Sequence, residues 1–294
     1  MDMRSLKRSI WSRFVEPLDS PTRDRVRNVK NEVKRVGLFL RGELKNLGRN
    51  RPPVRNVYHC CIQKTGSQWI KRVFDDYTIR SITGLSTHPQ FPYENGYFKK
   101  SFPPYTFVPG LYLSYRLYDK IKKEGEYRTF YVVRDPRDIV VSWYYSTKYT
   151  HPPIGDIPNY RKYLNKVGIE SGIEFSIRHL HLKISGMHDW WHHRDDSKLL
   201  VVRFEDLASN PVEQFNRIFR HCGYEIDQDQ LRSVLSRYTK EKMRKRDLER
   251  RNGGRSHYRK DKKDWRELFT DRHRSLFKSL NGRLVENLGY PAWE

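Results

Sequence analysis

The sequence predicts an α/β protein: a single domain with a central parallel β-sheet flanked by helices, plus a basic helical extension at the N-terminus. Three observations carry this. Three short apolar runs are continuous rather than alternating, as in parallel strands covered on both faces. Each run leads through a polar or glycine-containing turn into a helical pattern, and strand–turn–helix repeated this way builds a parallel sheet. The 294 residues are 36 % apolar and 14 % aromatic, enough for one sizeable core.

Residues 1–52 are rich in Arg and Lys, with Val26, Val29, Val33, Val36 and Leu40 at helical spacing. Gly48, Pro52 and Pro53 then punctuate the chain, so 1–52 is expected as a helical extension and 53–294 as the domain. The expected strands are Val57–Ile62, Thr129–Val133 and Leu199–Phe204, and the helices after them Trp69–Tyr77, Asp138–Ser146 and Pro211–Cys222. In the last helix Asn210 suits the N-cap and Pro211 the first turn. Residues 84–110, rich in Pro, Gly and Tyr, read as a long irregular segment of the kind that often carries function. Thr239–Lys263 is very basic, contains Gly253-Gly254 and reads as a mobile loop before a closing helix, Asp271–Leu288.

The charge balance is 58 basic against 35 acidic residues, a net +23. It calls for an anionic partner: a polyanion, an anionic membrane surface or a highly charged small ligand. The three cysteines, Cys60, Cys61 and Cys222, lack CxxC spacing and read as buried core residues in a reducing compartment. There is no apolar run long enough for a membrane span and no apolar core of a signal peptide near Met1, so a cytoplasmic location is expected, with 1–52 as a candidate peripheral membrane contact.

Two segments carry chemistry. Gln63-Lys-Thr-Gly-Ser-Gln-Trp69 lies between a strand and a helix. A lysine, a glycine and small hydroxyls there form an anion cradle of backbone N–H groups with added positive charge. The Walker spacing GxxxxGK[ST] is absent. In the second segment, Tyr131-Val-Val-Arg-Asp-Pro-Arg-Asp-Ile-Val-Val-Ser142, Arg134 sits at the carboxyl end of a strand, where open α/β sheets bind ligands. Ser142 follows inside the next helix, placed to turn its hydroxyl back toward the same pocket.

Together these blocks resemble sulfotransferases that use 3′-phosphoadenosine 5′-phosphosulfate (PAPS). Arg203-Phe-Glu-Asp-Leu207 with Pro211 is similar to a third family block, and Tyr258-Arg-Lys-Asp-Lys-Lys-Asp-Trp265 with Phe269-Thr270 to the C-terminal cofactor loop. The resemblance covers about residues 55–290. It implies the P-loop-like sulfotransferase fold, PAPS as sulfuryl donor and 3′-phosphoadenosine 5′-phosphate (PAP) as product, with no metal required. It assigns Lys64 to the phosphosulfate and the leaving oxygen, and Thr65, Gly66, Ser67 and Gln68 to the 5′-phosphate. Trp69 would stack on adenine, and Arg134, Ser142, Arg259 and Lys260 would hold the 3′-phosphate. The sequence departs from the family at Gln68, usually threonine, at Phe204, often tyrosine, and at Asp261, a glycine in the family.

Many family members carry a histidine base in a strand before the 3′-phosphate block, and Val108–Tyr115 contains none. His88, in Ser86-Thr-His-Pro89, and Glu94 are the alternatives. His179, His181, His188, His192 and His193 lack acidic or cysteine partners at matching spacing and read as a polar surface. The implied function is sulfuryl transfer from PAPS to an acceptor hydroxyl or amine, with the basic excess favouring an anionic glycan. A nucleic-acid-binding protein and a P-loop phosphoryl-transfer enzyme are the alternatives. The first leaves the four blocks unexplained and the second lacks its lysine spacing, so nucleic acid is not expected as a partner.

Overall fold

The computed structural model describes residues 52–88, 101–251, 255, 256, 258 and 264–293, with single positions between 19 and 44. Five parallel strands lie in the order β2-β3-β1-β4-β5: β1 Asn56–Cys61, β2 Ser86–Thr87, β3 Thr106–Leu111, β4 Tyr127–Val133 and β5 Leu199–Arg203. β1 pairs with β3 on one side and β4 on the other. The sheet therefore puts the carboxyl ends of β1 and β4 side by side, where the two chemistry-bearing segments begin.

Every residue of β1 is buried, the polar Asn56 and His59 included, as in a strand covered on both faces. Its side chains divide by the two-residue period of a strand. Tyr58 and Cys60 join one core layer, with Tyr131 and Trp190. Val57 and Cys61 join the other, with Phe107, Phe130 and Phe219. The three cysteines are reduced and buried.

The helices in chain order are α1 Ser67–Phe74, α2 Tyr77–Thr83, α3 Tyr115–Asp119, α4 Pro136–Tyr145, α5 Ile157–Lys166, α6 Ile169–Ser185, α7 Met187–His192, α8 Phe204–Ser209, α9 Pro211–His221, α10 Gln228–Ser236, α11 Lys240–Arg250, α12 Asp271–Asn281 and α13 Leu284–Asn287. A π-turn, Ser146–Thr150, continues α4. The first helix starts at Ser67 and ends at Phe74 because Gly66 breaks in on one side and Asp76, capping the Thr78 N–H at 2.9 Å, starts α2 on the other.

Three expectations are corrected. Residues 84–110 are not wholly irregular: they contain β2 and β3. Pro109 and Gly110 hid β3, since proline cannot donate to a ladder. The ladder slips there: Tyr58 pairs with Val108, but Cys60 pairs with Leu111. His59 absorbs the slip, its Nδ1 accepting the Gly110 N–H at 3.3 Å. Likewise, Thr239–Lys263 is not loop throughout, for Lys240–Arg250 is helical. Thr239 caps it by accepting the Lys242 N–H, and Met243 and Asp247 are buried. The closing segment is broken at Gly282 (φ 57°) into α12 and α13.

Of residues 1–51, the described positions from 22 to 44 are helical, with Val29, Val33, Val36 and Leu40 exposed. Among the described residues no helix is long and apolar enough to cross a membrane.

Candidate active site

The loop after β1 has an unusual backbone. Lys64 (φ 75°) and Gly66 (φ 79°) are both left-handed, with Thr65 between them. A lysine rarely adopts this conformation, and such strain gathers at ligand sites. Left-handed residues at alternate positions are a backbone pattern of anion nests, and here it stands at the start of α1. Gly66 is required twice: by its φ, and because a Cβ would come within 2.7 Å of the Phe204 ring.

Arg134 holds this loop. Its Nη1 donates to the Lys64 carbonyl at 2.7 Å, its guanidinium lies 4.8 Å from the Phe204 ring centroid, and its Nη2 is 3.7 Å from Asp138. Its Nε is buried with no partner among the described residues. Leaving a charged donor so is costly unless an anion meets it. Ser142 is one turn beyond Asp138 on α4, hence on the same helix face that Arg134 contacts.

The remaining loop side chains are used within the protein. Thr65 is buried and donates to the Ile62 carbonyl at 2.8 Å. Ser67 Oγ lies 2.8 Å from the Tyr112 hydroxyl, at the carboxyl end of β3. Gln68 is exposed. The Thr65 and Ser67 hydroxyls are thus engaged within the protein, which leaves the contact of these two residues with an anion to their backbone N–H groups. Trp69 packs edge-on to Phe215 at 5.3 Å between centroids, and its Nε1 is buried without a partner among the described residues.

The third block supports the floor. Phe204 touches both Gly66 and Arg134, and Glu205 accepts the Asp135 N–H at 3.1 Å and the Tyr290 hydroxyl at 3.0 Å. Beneath them Asp135 takes a two-pronged bond from fully buried Arg137, whose guanidinium stacks 3.8 Å from the Trp265 ring centroid. Arg137 also donates to the Pro291 carbonyl, tying the C-terminal segment to the end of β4.

The structure does not bring His88 to this loop. β2 ends at Thr87, opposite Phe107 and hence level with Val57. That is four residues short of the end of β1, on the order of 13 Å at strand rise. His88 is buried there, its ring edge-on to Phe102 at 5.1 Å. Arg259, Lys260 and Glu94 lie outside the described residues. The described residues before Arg259 pack on the π-turn and α11: Arg255 lies 4.5 Å from the Tyr149 ring centroid, and Ser256 donates to buried Asp247 at 2.9 Å, which also takes Arg250 and Arg251.

Sequence reasoning missed His151, the residue that closes the π-turn through its N–H to the Ser146 carbonyl at 2.7 Å. Burial is the main cause that holds its imidazole below the usual histidine range. The hydrogen bond to Pro152 opposes this, and the charges of Lys64, Arg161 and Arg251 add to it. The signal was the Thr150-His-Pro-Pro153 run directly after the α4 pattern. Elsewhere His193 stacks on Tyr115 at 3.6 Å, and His188 and His192 lie 3.9 Å apart. Among the described residues no three His, Cys, Asp or Glu side chains converge as a metal site.

Comparison with known proteins places this architecture. The sulfotransferase domain family model matches residues 111–289, more than half of the chain, and the chain belongs to that family. Mouse sulfotransferase 4A1 is 27 % identical over 128 residues, 42 % of this chain and 41 % of that protein. Human sulfotransferase 1C2 is 23 % identical over 208 residues, 66 % of this chain and 67 % of its own. The chain thus spans about two fifths of the length of the former. Two solved structures share the fold. Mouse sulfotransferase SULT7A1, complexed with PAP, has a TM-score of 0.53 at 15 % identity, covering 85 % of this chain and 91 % of its own. Retinol dehydratase, in complex with androsterone and PAP, has a TM-score of 0.52 at 14 % identity, covering 82 % and 83 %.

Proposed function

We propose that the chain transfers a sulfuryl group from PAPS to an acceptor hydroxyl or amine. The observation that carries this is the strained Lys64–Gly66 nest, fastened from below by Arg134, whose Nε has no partner among the described residues. Family membership and neighbours solved with PAP support the choice of donor. The residues fit that group: the nest and Lys64 suit a 5′-phosphosulfate, and Arg134 with Ser142 suits a 3′-phosphate. Thr65, Gly66, Ser67 and Gln68 contribute backbone N–H groups, Trp69 flanks the adenine, and Arg259 and Lys260 close on the 3′-phosphate.

The donor supplies an activated sulfuryl group. Lys64 stabilises the charge that builds on the bridging oxygen, and the nest fixes the phosphate in line with the acceptor. This reading needs no metal, since protein cations supply the charge. The acceptor is proposed to be an anionic glycan, because of the basic excess and because Lys148 and Arg255 lie over Tyr149 of the π-turn, whose ring stacks with Tyr145. The extension 1–52 is proposed to make a peripheral contact with an anionic membrane surface, with Val29, Val33, Val36 and Leu40 exposed on it.

Incubation with ³⁵S-labelled PAPS and panels of glycans, glycolipids and phenols tests the function. Label is expected on a glycan. Labelled PAPS that is neither bound nor transferred to any panel member contradicts the proposal.

A further inference from the structure

We propose that Tyr112 is a positioning residue for the donor: its hydroxyl holds Ser67, and through it the first turn of α1, in the shape that receives the 5′-phosphosulfate. This rests on the sulfotransferase reading above.

The first observation is a contact. The Tyr112 hydroxyl lies 2.8 Å from Ser67 Oγ, a bond that ties the end of β3 to the anion loop. Ser67 is buried and is the first residue of α1, next to left-handed Gly66. Gly66 gives α1 no side-chain cap. The grip on Ser67 from β3 therefore acts where the helix start lacks a cap of its own.

The second observation is register. Tyr58 pairs with Val108 and Cys60 with Leu111, so two steps along β1 match three along β3. Strand side chains change face at every step, and one extra residue reverses all that follow. Without it Tyr112 would point into the layer of Tyr58, Cys60 and Trp190. With it Leu111 joins that layer, and Tyr112 packs against the opposite one, with Val57 and Cys61. α1 lies on this side, burying Ile70, Val73 and Phe74 there. Bulges beside sites re-aim side chains in this way.

The third observation is what holds the bulge. Gly110 has φ 62°, and its N–H donates to Nδ1 of fully buried His59 at 3.3 Å. A buried imidazole in a core strand is costly without such a partner. Here it secures the register that aims Tyr112 at Ser67. The stretch Val108–Tyr115, which holds no histidine, thus reaches the donor loop through a phenol. Because the Ser67 hydroxyl is engaged by Tyr112, the loop is ordered before the donor arrives, and binding need not meet that cost. The effect belongs to the 5′ end of the nucleotide, since the 3′-phosphate is assigned to Arg134 and Ser142 on β4 and α4.

The test measures, by calorimetry on the full chain, binding of PAP and of adenosine 3′-phosphate, which lacks the 5′-phosphate. Tyr112→Phe keeps the ring in its layer and removes the hydroxyl. It should weaken PAP by roughly 2- to 10-fold, leave adenosine 3′-phosphate at its wild-type affinity and melt close to wild type. Ser67→Ala removes the same bond from the other side and should weaken PAP as well. The double variant should bind PAP no more weakly than the poorer single variant, because both lose one shared bond. Wild-type PAP affinity in Tyr112→Phe, an equal loss for both nucleotides, or losses that add in the double variant would overturn the proposal. Should Tyr112→Phe melt early, Ser67→Ala read with the same two nucleotides decides. Failure of PAP to bind the wild type would instead strike at the sulfotransferase reading itself.

Discussion

Single residues set the chemistry. Replacing Lys64 with alanine removes a side-chain cation from the nest. Turnover is expected to fall by roughly 100- to 1,000-fold, with the melting temperature little changed, and steady-state rates alongside thermal melts check both halves. Arg134→Ala and Ser142→Ala should narrow the preference for PAPS over adenosine 5′-phosphosulfate, which lacks the 3′-phosphate. Arg134 carries a second role through the Lys64 carbonyl, so its variant should also lose loop order, whereas Ser142→Ala should not. Competition binding with the two nucleotides separates these outcomes, and an unchanged preference in both variants would remove the 3′-phosphate assignment.

His59 makes a pH prediction at the same scale. It is fully buried between Phe107 and Phe130, stacking 4.8 Å from the latter, and burial pushes its imidazole down to about 3. The folded state therefore binds fewer protons than the unfolded chain between about pH 6.5 and pH 3. Stability falls as pH drops through that window and is recovered as pH rises above it. The full window is worth roughly 5 kcal/mol. His59→Leu should be less stable at pH 7.5, having lost the Gly110 contact, yet lose less on acidification to pH 5. Denaturant melts at the two pH values measure it, and equal acid sensitivity in both proteins would contradict the account.

At the scale of elements, the strands and the helices following β1, β4 and β5 were legible because a doubly covered parallel sheet writes itself as continuous apolar runs. β3 was not, because Pro109 and Gly110 break the pattern and the ladder survives only through a bulge and a side-chain bond from His59. Helix α11 was not, because its stability comes from a tertiary feature: the buried carboxylate of Asp247, which gathers Arg250, Arg251 and Ser256. The anion loop could be read from Lys64 and Gly66, but the turning inward of Thr65 and Ser67 could not, since their partners lie at Ile62 and across the sheet at Tyr112. Asp247→Asn should loosen the end of α11. Trypsin should then cut faster at Arg250, Arg251 and Arg255, and PAP should slow cleavage in wild type more than in the variant. Identical digestion of the two proteins would deny Asp247 this role.

For the whole molecule, the net charge of +23 and the fold converge on an anionic ligand at the carboxyl ends of β1 and β4. Charge alone would fit nucleic acid equally well. The arrangement of Lys64, Gly66 and Arg134 around one small nest favours a compact, highly charged nucleotide. The most direct measurement is the melting temperature with PAP, with ATP and Mg²⁺, or with an oligonucleotide. At about 100 times its Kd, PAP should raise the melting temperature by on the order of 5 to 10 °C. Lys64→Ala and Arg134→Ala should shrink that rise, and the other two ligands should give little. A larger rise with ATP–Mg²⁺ or with the oligonucleotide than with PAP would contradict the assignment.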